Sequence, residues 1–101
     1  MEHVGPFVVG HGIVSTPAVY AGILKGVTRD VVIELARGAG YEVRETMLNR
    51  YDVYTADEAF FTGTAAEVVA IRQVDGRLIG TGKQGPITRD LRNRFQALVR
   101  S

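Results

Sequence analysis

The chain has 101 residues, with twelve basic and eleven acidic side chains giving a net charge of +1. That length makes one domain or part of one, and no basic block points to nucleic acid or an anionic membrane. With no cysteine, disulfides, thiol catalysis and thiolate metal sites are excluded. No apolar run approaches the ~18 residues of a membrane helix. The start, Met1 to Pro6, lacks the basic region and apolar core of a signal peptide. The expectation is a soluble, cytoplasmic protein.

Pro6 to Val9 and Ile13 to Thr16 flank the turn Gly10-His11-Gly12, so residues 6 to 16 read as a hairpin. Pro17 ends it, because proline donates nothing to a sheet ladder. Ala18 to Gly26 reads as a loop. Thr28 is placed to cap a helix, with Asp30 in the first turn and Val31, Val32, Leu35 and Ala36 on one stripe. Gly38 and Gly40 close it. Tyr41 to Leu48 alternates as a half-buried strand. Asn49 starts a short helix through Tyr54. Glu58 to Thr62 is a buried strand candidate, Gly63 to Ala66 a small-residue turn, and Glu67 to Val74 a second strand. Asp75-Gly76 is a hairpin signal returning through Arg77 to Ile79. After a loop from Gly80 to Gly85, Pro86 opens a last helix with Ile87, Leu91, Phe95 and Leu98 on its apolar face. Strands mixed with helices, without repeats or linkers, give an α+β class in a single domain over 1–101.

Two segments carry possible chemistry. Gly26-Val27-Thr28 leads into a helix N-terminus, where free N–H groups, the positive dipole end and a hydroxyl can cradle an anion; Thr28 as a plain helix cap is the alternative. Gly63-Thr64-Ala65-Ala66 lets a ligand approach the backbone, and its N–H groups can form a nest for phosphate or carboxylate; a close-packed turn is the alternative. Asp57 and Glu58 face opposite ways on a strand, so they read as solvated acids rather than an acid/base pair. His3 and His11 lack the clustered partners of a metal site. The four tyrosines at 20, 41, 51 and 54 read as packing residues. Gly80-Thr81-Gly82-Lys83 lacks the full phosphate-loop spacing.

Taken together, the motifs resemble one family from about Phe7 to Phe95. Gly22 to Asp30 is similar to the GILPGITRD stretch of branched-chain aminotransferases, pyridoxal-phosphate enzymes of fold type IV. Val43-Arg44-Glu45 matches the following strand, Ala56 to Val68 the ADEAFxxGTAAEV block, and Asp75-Gly76-Arg77 and Gly82 to Thr88 the remainder, in order. D-amino-acid aminotransferases and aminodeoxychorismate lyases share the fold but resemble it less at Gly63 to Ala66. The resemblance implies the C-terminal part of the large domain, with antiparallel strands, hairpins and flanking helices. It implies pyridoxal 5'-phosphate as cofactor, its phosphate held by Val27, Thr28 and Thr64, with Leu24 against the pyridine ring. Ala65 and Ala66 would offer N–H groups to the substrate carboxylate. The implied reaction transfers an amino group between leucine, isoleucine or valine and 2-oxoglutarate.

The Schiff-base lysine of that family lies upstream of the matched region. The acid that pairs with the ring nitrogen falls before Met1, and neither Lys25 nor Lys83 matches the lysine. Met1 to Pro6 departs from the EGSGENIF-like family segment, which suggests a truncated gene, a frame disruption or a fragment. The chain is therefore expected to have no catalytic residue of its own and to be inactive alone. Its expected assembly is a homo-oligomer or a complex with the missing N-terminal part. A phospho-ligand-binding module and a complementing subunit are the rival readings.

Overall fold

The computed structural model describes residues 5–17, 27–63 and 67–100. Strand β1 (Gly5–Gly10) turns through His11-Gly12 into β2 (Ile13–Thr16), in the register Val8↔Ser15. His11 and Gly12 both have positive φ, 53° and 77°. This primed turn matches the right-handed twist of the strands, and glycine makes its second position easy. The expected hairpin is borne out.

Helix α1 (Val27–Gly38) follows, and then β3 (Glu42–Glu45). The helix ends in a Schellman pair: the Tyr41 N–H donates to Ala36 O and the Gly40 N–H to Arg37 O, with Gly40 at φ +93°. Gly40 is the left-handed cap and Gly38 still belongs to the helix. At the other end the expectation needs correcting. Thr28 is the second helical residue and not the cap before it; the cap position falls at Gly26, outside the described residues.

Strand β3 pairs with β2 in parallel, Val14↔Val43, which makes β2–α1–β3 a crossover unit. The hairpin-based expectation did not contain this pair. β3 is also shorter than the expected 41–48. Its ladder runs to the Thr46 N–H, which donates to Thr16 O at 2.9 Å, and stops where β2 gives way to Pro17.

Helix α2 (Arg50–Tyr54) has Asn49 as N-cap in a reciprocal capping box with Asp52. Strand β4 (Glu58–Gly63) pairs antiparallel with β1, Phe7↔Phe60, and with β5 (Glu67–Ala70), Phe61↔Val69. The expected strand 67–74 divides: Ile71 N still donates to Ala59 O, but Gln73–Val74 (β6) pairs with Arg77–Leu78 (β7) in a separate ribbon. Asp75 and Gly76, both at positive φ, form its turn. Helix α3 (Pro86–Arg100) closes the fold.

The main sheet has the order β3-β2-β1-β4-β5. Its period-2 alternation separates two clusters. On one face Phe7, Val9, Val14, Phe60 and Val68 pack against Val32, Ile33 and Ala36 of α1 and Leu91 and Phe95 of α3. The Phe7 and Phe60 rings stack across the β1–β4 pair with centroids 4.8 Å apart. On the other face Val8 and Ala59 pack with Ala56 and Ile79. Leu98, expected in the core, is 51% exposed. A helix of 15 residues is about 22 Å long, whereas the four residues of β5 cover about 13 Å, so its last turns reach past the strand.

Two polar details of this packing yield predictions. Thr88 is fully buried on α3, and its hydroxyl finds no hydrogen-bond partner among the described residues. Removing an unpaired buried hydroxyl while keeping the side chain's shape is neutral or stabilising by about 1 kcal/mol. Thr88→Val should therefore hold or raise the urea midpoint; a fall of more than about 1 kcal/mol would show that the hydroxyl has a partner.

The Tyr41 hydroxyl donates to Asp90 Oδ2 at 2.6 Å, tying the end of α1 to α3. That bond to a carboxylate raises the tyrosine above its ordinary 10.0, with burial adding to the effect. The same bond lowers Asp90 below 3.8, helped by Arg94 and opposed by burial. A depressed acid contributes stability above its unfolded pKa and loses it as pH falls through the folded value; a raised tyrosine contributes below its unfolded pKa and loses it as pH rises through the folded one. Tyr41→Phe should cost about 0.5–1 kcal/mol at neutral pH, since both groups are partly solvated. It should also flatten both the acid limb below about pH 4 and the alkaline limb above about pH 10. Urea midpoints across that range test this, and unchanged limbs would refute it.

Candidate functional site

The topology gathers several chain ends at one end of the sheet. β2 and β3 run parallel, so α1, which joins them, must start at their carboxyl ends. β1 is antiparallel to β2, and β4 to β1, so β4 runs its last residues, Thr62 and Gly63, toward that same end. β5 begins there with Glu67. β2 and β4 flank β1, which puts them about 10 Å apart. The start of α1, Gly63 and Glu67 thus lie at one end of the sheet.

Arg29 fixes the helix start. Its guanidinium donates to Pro17 O at 2.7 Å, to Glu45 Oε1 at 3.0 Å and to Asp30 Oδ1 at 3.3 Å. It therefore ties the end of β2, the end of β3 and the first turn of α1 together. The side chain is buried, so it acts as an internal strut and is committed to these partners. Thr16, also fully buried, donates from its hydroxyl to Pro6 O at 2.7 Å and joins β2 to β1 at the same edge.

Of the sequence-derived site residues, Val27 and Thr28 lie in the first turn of α1, with Thr28 half-buried. The first N–H groups of a 12-residue helix have no intrahelical acceptor, and the dipole adds partial positive charge. With the Thr28 hydroxyl this is a donor set suited to a phosphate monoester. Leu24, Thr64, Ala65 and Ala66 lie outside the described residues.

The opposite sheet end overturns one expectation. Glu58, taken as a solvated acid, is buried at 7% exposure, and its carboxylate accepts from the N–H groups of Ile87 at 3.2 Å and Thr88 at 2.8 Å. It caps α3. Gly85 belongs to the same arrangement, because a Cβ there would overlap the Glu58 side chain. Asp57 is exposed and accepts from the His11 N–H at 3.1 Å. Neither acid is free for acid/base work at the α1 end, and sequence reasoning missed both Arg29 and Glu58 because their partners are distant in the chain.

The profile of the amino-transferase class IV family matches residues 4–74. A putative branched-chain-amino-acid aminotransferase of Methanocaldococcus jannaschii is 52% identical over 90 residues, covering 89% of this chain and 31% of that protein. The branched-chain-amino-acid aminotransferase of Pseudomonas aeruginosa is 48% identical over 93 residues, 92% of this chain and 30% of its own length. Among solved structures, the Escherichia coli branched-chain amino acid aminotransferase superposes with a TM-score of 0.88 at 43% identity, covering 94% of this chain and 32% of that one. The Thermobaculum terrenum branched-chain amino acid aminotransferase in its PLP-form gives 0.86 at 44% identity, covering 94% and 31%. The chain thus spans about a third of the length of these relatives. Since the family profile spans most of the chain, the chain belongs to the class IV amino-transferase family, and its similarity runs to the branched-chain members.

Proposed function

We propose that this chain supplies the phosphate-anchoring and carboxylate-orienting part of a branched-chain aminotransferase site, acting on leucine, isoleucine or valine and 2-oxoglutarate in a cytoplasmic setting. The observation that carries the reading is that the α1 N-terminus and the last residues of β4 lie at one end of the sheet, the end braced by Arg29. Val27 and Thr28 hold the phosphate of pyridoxal 5'-phosphate through N–H groups and a hydroxyl. Thr64 meets it from the facing connection, Leu24 packs on the ring, and Ala65 and Ala66 direct N–H groups at the substrate carboxylate. Pyridoxal phosphate, when bound, supplies the electron sink that makes the substrate α-proton removable.

The lysine that would hold the cofactor and move that proton is not Lys83. Its loop packs on the Asp57–Glu58 end of β4, so closely that a Cβ at Gly80 would overlap the Asp57 carbonyl oxygen. Six residues of strand separate that end from Gly63, on the order of 20 Å. The part proposed for these residues is to bind and orient.

Pyridoxamine 5'-phosphate, which cannot condense with surface lysines, is the probe of choice. Calorimetry should show it binding more tightly than pyridoxamine lacking the phosphate, with inorganic phosphate competing. Thr28→Val should weaken it about ten-fold, the loss of one hydrogen bond to a charged group. Equal affinity for the two pyridoxamines, or no effect of the substitution, refutes the assignment.

A further inference from the structure

A cavity of about 470 Å³ is lined by β5 and α3. Residues 68–70 of β5 form one wall, and Arg72, Gln84, Arg92 and Gln96 the rest. β5 is the last strand of its sheet. Ile71 donates to Ala59 O, and Ala59 stands opposite it in a register that pairs Phe60 with Ala70. Alternate residues of an antiparallel strand point their N–H and C=O groups to opposite sides. Ile71 and Val69 therefore bond to β4, while Val68 and Ala70 turn theirs away from it, to the side on which no further strand pairs among the described residues. The edge ends at Arg72, whose carbonyl accepts from the Ile79 N–H at 3.0 Å.

The cavity wall is also cationic. Neither Arg72 nor Arg92 pairs with an acid among the described residues, as is also true of Arg50, Arg77 and Arg89; what sets the two apart is that both line this one cavity. A small anion would satisfy the arginines and leave the strand groups of Val68 and Ala70 unmet. An extended peptide with acidic side chains satisfies both: its backbone adds a strand to β5, its carboxylates reach the guanidinium groups, and the Gln84 and Gln96 amides offer further donors and acceptors.

We propose that the β5 edge and the Arg72–Arg92 pair form a docking site for an extended acidic peptide segment, bound as a sixth strand of the sheet. The site is independent of the cofactor reading. The probe is a capped, dye-labelled heptapeptide of alternating valine and glutamate, titrated into the full 101-residue chain. Binding tighter than about 1 mM is expected. The amide protons of Val68 and Ala70 should gain exchange protection while that of Val69, already bonded to β4, changes little. The doubly substituted R72Q/R92Q chain, whose changes are both at exposed positions, should bind at least ten-fold more weakly. N-methylation of alternate peptide residues, which keeps the charge and removes the strand bonds, should weaken binding as much. Four results would each overturn the proposal: no binding at 1 mM; equal affinity for the N-methylated peptide; displacement by inorganic phosphate with no change at Val68 and Ala70, which marks a small-anion site only; or protection of those two amides in the peptide-free chain as its concentration rises, which means that a second copy takes the edge.

Discussion

Replacing Glu58 with alanine should lower stability by about 3 kcal/mol, or about 12–24 °C in Tm for a domain of this size. Glu58 opens β4, and its two carboxylate oxygens accept from the Ile87 and Thr88 N–H groups at the start of α3. A charged acceptor in that position meets two otherwise orphaned donors and the positive end of the helix dipole. Because the residue is 7% exposed, water cannot readily take its place. α3 supplies Leu91 and Phe95 to the core, so loosening its start loosens apolar packing too. Glu58→Gln should cost about half as much, since its one amide oxygen can serve one donor while its NH2 opposes the other. Gly85→Ala attacks the same contact from the other side, driving its Cβ into the Glu58 side chain. The two changes should not add: with Glu58 already shortened, the new methyl has room, and the double variant should lose clearly less than the sum of the singles. Urea unfolding of the four chains decides this. Full additivity, or a loss below about 1 kcal/mol for Glu58→Ala, would show that the cap contributes little.

Elements specified by near neighbours were legible in the sequence. Asn49 with Asp52 three residues on is a complete capping box, and α2 starts there. His11-Gly12 and Asp75-Gly76 carry the left-handed residues that two-residue hairpins need, and both turns form. What escaped was set by partners far along the chain. The parallel β2–β3 pair depends on α1 carrying the chain back 26 residues, from Thr16 to Glu42 by number, and no local pattern encodes its direction. Glu58 and Arg29 carry the charge of surface residues, and only their partners, 30 and 16 positions away, make them interior. The candidate site divides along the same line. Val27 and Thr28 stood out as a glycine-led helix start and then through the matched motif, and they stand in the first turn of α1, whereas the brace that holds this turn depends on Pro17 and Glu45, 12 and 16 positions away.

That brace gives the second large effect. Arg29→Ala should cost about 2–3 kcal/mol and should weaken phosphate-ester binding more than Thr28→Val does. Breaking a fully buried ion pair costs about 3–5 kcal/mol, because the abandoned charge stays dry. Here the acids are not dry: the side chains of Asp30 and Glu45 are 47% and 40% exposed, so both regain water when the guanidinium goes. The loss is therefore dominated by the partly buried Pro17 carbonyl, left without its 2.7 Å donor, and by the space the long side chain vacates. Lysine should rescue poorly. It replaces the planar fork by a single ammonium, which cannot reach a backbone carbonyl and two carboxylates on three different elements at once. The consequence for binding follows from geometry. On the proposed assignment, the donors of Val27 and Thr28 would converge on one anion only while the first turn of α1 is held against the ends of β2 and β3, and a misplacement of about 1 Å at such a site can cost on the order of a hundred-fold. Pyridoxamine 5'-phosphate titrations of Arg29→Ala, Arg29→Lys and Thr28→Val, each checked for retained fold by circular dichroism, make the comparison. If the folded Arg29→Ala chain binds as well as the parent, the helix start does not need the brace, and the α1 edge is not the anchoring site.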